Sequence, residues 1–160
     1  MKGKKIAAQL YTVRDFCKTS EELAATLKKI KNIGFEAVQL SGVGPIETSE
    51  IRKILDGEGL ICCATHEGGK MIVDETEKVI DTLNILGCKY TAYPYPHVQI
   101  KSKEDCMSLA ESLNEAGRKM AGAGQVLCYH NHAIEFEKFG RKTALEIIYD
   151  ETDPNFLQGE

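Results

Sequence analysis

Four histidines, His66, His97, His130 and His132, are the side chains best suited to chemistry in this chain of 160 residues. Imidazole titrates near neutrality and is the commonest metal-binding side chain, so its placement is informative. Two of the four fall in Tyr129-His130-Asn131-His132-Ala133-Ile134-Glu135-Phe136. Alternate residues of a strand share a face, which predicts His130 and His132 on one side, with Glu135 three residues further on. Two imidazoles and a carboxylate can hold a divalent metal or orient a polyol. The same residues also admit a bland account, with His130 bonded to a core carbonyl and Glu135 solvated. Gln9 and Tyr11 on a first strand could reach such a site from below. Thr65-His66-Glu67-Gly68-Gly69 joins a polar segment to two glycines that permit close backbone approach. Tyr93-Pro94-Tyr95-Pro96-His97 reads as a rigid aromatic turn, suited equally to walling a sugar site or to a structural loop. No phosphate-loop motif and no G-x-S-x-G elbow is present, and no cysteine has an obvious histidine base in sequence.

The elements that must position these residues follow one repeated pattern: an amphipathic stretch, a glycine, then a short apolar run. Strands are predicted over 6–11, 35–40, 60–65, 88–93 and 125–130, with a sixth beginning at 156–160. Helices are predicted over 20–33, 48–55, 74–86, 102–121 and 143–149. Thr19 with Glu22, and Asp74 with Glu77, have capping-box spacing, and Gly34 and Gly87 stand as helix stops. Each histidine then falls at or just beyond the C-terminal end of a strand, the rim where βα loops converge in parallel α/β folds. Strict βα alternation fits an open doubly wound sheet or a (β/α)8 barrel, and periodicity alone does not choose between them.

Composition narrows the class. Apolar residues make up 42% and charged residues 28%, with 24 acidic against 20 basic side chains and a formal net charge of -4. This is a globular composition rather than a disordered one. The acidic balance argues against a nucleic-acid partner, and no apolar run reaches the roughly 18–20 residues of a membrane span. Met1-Lys2-Gly3-Lys4-Lys5 is not followed by a signal-peptide core. The six cysteines, among them the adjacent Cys62 and Cys63, form no C-x-x-C and lie mostly in apolar runs, so free buried thiols and a cytoplasmic setting are expected.

Three segments together carry a family resemblance: Ala8-Gln9-Leu10-Tyr11-Thr12-Val13-Arg14-Asp15, Ile33-Gly34-Phe35-Glu36-Ala37-Val38-Gln39-Leu40, and Tyr129-His130-Asn131-His132-Ala133-Ile134-Glu135-Phe136. In order and spacing they resemble the sugar phosphate isomerase/epimerase family. That resemblance implies a TIM (β/α)8 barrel of the xylose isomerase-like type. A barrel of this kind takes about 250 residues, so residues 1–160 are expected to form a single partial barrel domain, truncated after about five βα units. The implied activity is proton abstraction next to a carbonyl of a sugar or polyol through an enediolate, assisted by a divalent metal. Manganese is the first expectation, with zinc, cobalt or magnesium as alternatives. Glu135 is carried over as metal ligand and catalytic carboxylate, and Gln9, His66, His130 and His132 as substrate-contacting residues.

Two departures from the family pattern stand out. Many epimerases carry their first glutamate on strand five, where this chain has His130. The remaining ligands come from strands six to eight, and none of those positions is expected here. The alternatives are an inosose-dehydratase-like lyase, an endonuclease-IV-like DNA repair enzyme on the same barrel, and a non-catalytic half barrel that serves as a binding or assembly module. Homo-oligomerisation is compatible with the last, since an unclosed sheet needs its edges covered.

Overall fold

A computed structural model describes residues 6–160; the Met1–Lys5 segment discussed above lies outside the described residues. The chain forms two compact units, one of residues up to His66 with Thr82–Lys89, the other of Glu67–Asp81 with Tyr90–Glu160.

In the first unit, β1 (Ala7–Gln9), β2 (Ala37–Leu40) and β3 (Ile61–His66) pair in parallel, Gln9 opposite Gln39 and Leu40 opposite Thr65. The predicted first strand stops early. Residues Leu10–Phe16 coil into 3-10 turns, so Tyr11 leaves the strand, and the Arg14 guanidinium sits 4.3 Å from its ring. The connecting helices are α1 (Ser20–Ile33) and α2 (Thr48–Glu58). The predicted capping box of α1 is present: Glu22 N–H donates to Thr19 Oγ1 at 3.2 Å, and Thr19 N–H to Glu22 Oε2 at 3.2 Å. Gly34 ends α1 at φ 110°, the left-handed region that glycine enters at little cost.

The predicted 74–86 helix is instead two helices, α3 (Gly69–Asp74) and α4 (Thr76–Leu86). Asp74 closes α3 and is ion-paired with Lys70, so it is not free to cap the next helix. The Thr76 hydroxyl donates to the Ile72 carbonyl at 2.8 Å, and the backbone breaks at Glu75 (φ -131°, ψ 39°).

In the second unit, β4 (Tyr90–Tyr93) and β5 (Val126–Tyr129) pair in parallel across α5 (Lys103–Gly122). The buried stripe of α5, Cys106, Leu109, Ala110, Leu113, Ala116, Gly117 and Met120, has the three-to-four spacing of one helix face. After β5 comes a 3-10 turn at Ala133–Phe136, then a two-stranded antiparallel ribbon of β6 (Lys138–Phe139) and β7 (Lys142–Thr143), neither legible in the sequence pattern. Helix α6 (Ala144–Asp150) starts on a Thr143–Glu146 capping box. The chain then enters β8 (Leu157–Gly159), parallel to β5 with Tyr129 opposite Gly159.

All six cysteines are free thiols, as expected, and four of them are buried. A hydrogen bond with Cys88, together with burial, pushes the Cys62 thiol far above its ordinary value, which suits packing rather than nucleophilic chemistry. Among the described residues no helix is long and apolar enough to cross a membrane.

Candidate functional site

Each unit gathers polar side chains at the C-terminal ends of its own parallel strands. In the first, Gln9 Nε2 donates to Gln39 Oε1 at 3.1 Å, the two amides lying opposite each other in the β1–β2 register. One residue beyond β2, Ser41 Oγ lies 3.0 Å from Nδ1 of His66, the last residue of β3. Gln39 and Ser41, both buried, were not singled out in the sequence. Their placement follows from the alternation along β2 once its register with Gln9 is known.

The second unit is richer. Strand β5 ends at Tyr129, so the two histidines after it are not related by strand alternation. They meet all the same, with ring centroids 5.0 Å apart and planes at 77°. The cause lies below them. Glu135 has no solvent exposure, and both of its carboxylate oxygens are occupied. Oε1 accepts from the Tyr129 hydroxyl at 3.1 Å, and Oε2 from the His132 backbone N–H at 2.7 Å. A buried carboxylate needs such donors, and these two fold the 131–136 segment back over β5. Burial, reinforced by the Glu135 carboxylate, pushes the Tyr129 phenol well above its ordinary value, so it stays a donor. Tyr95 stacks edge-on to His132 with centroids 5.4 Å apart, and the Tyr93 and Tyr129 rings pack at 5.4 Å beneath.

Glu160 is the residue that sequence reasoning missed. The sixth strand was expected only to begin here, with no ligand position at its end. Instead, it pairs fully over Leu157–Gly159, and the next backbone N–H, that of Glu160, donates to Tyr129 O at 3.1 Å. This brings Glu160 Oε2 to 3.0 Å from His130 Nδ1. The signal was available: Glu160 stands just past the sixth apolar run, where His130 stands past the fifth. His130 and Glu160 side chains are 34% and 27% exposed, so an imidazole nitrogen and a carboxylate oxygen lie side by side within reach of a ligand. That donor set, one nitrogen and one hard oxygen, suits a divalent first-row metal or magnesium.

No family model matches the chain, and no curated protein matches it. Solved structures do. A sugar phosphate isomerase/epimerase from Parabacteroides distasonis superposes with a TM-score of 0.85 at 22% identity, over 100% of this chain and 65% of that one. An AP endonuclease of family 2 from Brucella melitensis gives 0.70 at 14% identity, over 99% of this chain and 68% of the other. A xylose isomerase-like TIM barrel protein from Mycobacterium smegmatis, in complex with magnesium, gives 0.68 at 15% identity, over 98% and 63%. The chain thus spans about two thirds of the length of these structures or slightly less. Over the length it spans, it has the α/β fold of the xylose isomerase-like TIM barrels.

Proposed function

We propose that the chain is part of a metal-dependent isomerase or epimerase acting on a sugar or polyol that bears a carbonyl. The observation that carries this reading is the His130–Glu160 pair at the ends of neighbouring parallel strands, with His132 beside it. His130 and Glu160 are the residues that would hold the cation, manganese being the first candidate. When bound, such a cation supplies Lewis-acid polarisation of substrate oxygens, which acidifies the adjacent carbon-bound proton. The chain's own residues do the rest. His132, exposed and braced by Tyr95, is placed to contact a substrate hydroxyl, and Gln9 and His66 offer an amide and an imidazole at the corresponding end of the first unit. Glu135, carried over from the resemblance as metal ligand and catalytic carboxylate, has its two oxygens held by Tyr129 and His132, and in this reading it also positions the rim.

The fold shared with an AP endonuclease supplies a second reading, which the net charge of -4 opposes at a phosphate backbone. The test uses the polypeptide as its host makes it. Expected are bound divalent metal, lost in both His130→Gln and Glu160→Gln, and exchange of a substrate C–H proton with deuterated solvent during ketose conversion. Metal retained in both variants would remove the site assignment. Salt-dependent binding to abasic DNA without sugar turnover would favour the nuclease.

A further inference from the structure

The Tyr93 hydroxyl meets two nitrogens of one residue. It accepts the His97 backbone N–H at 2.9 Å and lies 2.7 Å from His97 Nδ1. Tyr93 is wholly buried, and its ring is seated on Gly69, where a Cβ would stand 2.7 Å from ring carbon Cε2. A phenol carries one proton, and the backbone N–H already occupies one of its lone pairs. A phenol proton aimed anywhere but at Nδ1 would leave a buried donor unmet, at about 1–3 kcal/mol. Nδ1 is therefore the acceptor, and the imidazole proton sits on Nε2. Burial holds the Tyr93 phenol at about 12, so its proton is in place throughout the neutral range.

His97 itself is exposed and lines a cleft of about 170 Å³ together with Val98, Gln99, Asp105, Ser108, Leu109 and Ser112. Ser112 Oγ gives its proton to the Ser108 carbonyl at 3.0 Å and so turns acceptor lone pairs outward. Asp105 Oδ2 accepts the Lys101 backbone N–H at 2.8 Å and brings a carboxylate to the lining. An anion is disfavoured by that carboxylate. A hydroxyl group, which both gives and takes a hydrogen bond, matches the polar part of this lining, an imidazole, an amide, hydroxyls and a carboxylate, set beside Val98 and Leu109.

We propose that this cleft binds an uncharged polyhydroxyl compound, with His97, locked by Tyr93 as its Nε2–H tautomer, as the fixed donor. The proposal stands on its own geometry and does not depend on the metal-site reading above.

The test is long-range proton–nitrogen NMR of the histidine rings in the full chain above neutral pH, followed by titration with erythritol. His97 is expected as the Nε2–H tautomer alone, and as a mixture of tautomers in Tyr93→Phe. Erythritol is expected to shift the His97 ring signals saturably. Ser108→Leu, at an exposed position, should block the cleft, weakening binding about tenfold or more while leaving the tautomer unchanged. An Nδ1–H ring or a mixture in the unmodified chain overturns the lock. Shifts that do not saturate, or that survive Ser108→Leu, overturn the ligand. Neither result bears on whether His130 and Glu160 bind metal.

Discussion

Glu135 is the residue whose surroundings depart most from what its spacing suggests. Its spacing from His130 and His132 suggests a ligand beside them, yet it lies under them with both oxygens engaged. Glu135→Leu removes the acceptor from the Tyr129 hydroxyl and the His132 N–H at once. Each buried donor left unmet costs about 1–3 kcal/mol, so a loss of about 2–6 kcal/mol in urea unfolding is expected. Glu135→Gln keeps the shape and one acceptor oxygen, leaves one of the two donors unmet, and should lose about half as much. Equal stability of Glu135→Leu and the parent would show that the carboxylate does not brace the turn. The pairing of His130 with His132 was legible because residues two apart in an extended chain share a side. The physical cause differs: a buried carboxylate, invisible in a periodicity, returns the chain over its own strand.

Helix starts were the most legible elements, because a capping box is local chemistry between residues three apart. Thr19 and Glu22 behave as their spacing predicts. Asp74 and Glu77 have similar spacing but do not, since Asp74 is taken by Lys70 and the helix breaks at Glu75. The α6 cap carries a pH signature. Thr143 donates from its backbone N–H at 2.7 Å and its hydroxyl at 2.9 Å to Glu146 Oε2, and these bonds hold that carboxyl below its ordinary 4.5. A lowered carboxyl value means the cap's contribution is full above 4.5 and is lost as pH falls through the lowered value. The Thr143 amide proton shift should therefore titrate with a midpoint below 4.5, and the transition should vanish in Glu146→Gln. A midpoint at or above the ordinary value would contradict the bonded geometry.

Across the whole molecule, the decisive contacts join residues far apart in sequence. Gly117 lies inside the 20-residue α5, where alanine would by propensity be better by about 1 kcal/mol. A Cβ there would stand 2.1 Å from the Phe156 carbonyl oxygen, the turn that delivers β8. The clash outweighs the propensity, and Gly117→Ala should destabilise by about 1–3 kcal/mol, the usual range for overpacking. It should also speed hydrogen exchange at the Glu160 amide, which bonds to Tyr129 O. Unchanged exchange with unchanged stability would mean that α5 does not seat the last strand. The alternation of strands and helices, the helix stops at Gly34 and Gly87, and the placing of all four histidines at or past strand ends were readable from the residues alone, because periodicity and capping act within a few positions. The choice between open sheet and barrel was not readable from periodicity. Nor were the burial of Glu135, the Tyr93–His97 bond, or the meeting of Glu160 with His130. Those depend on register and on which side chains lose water, which only the packed chain decides.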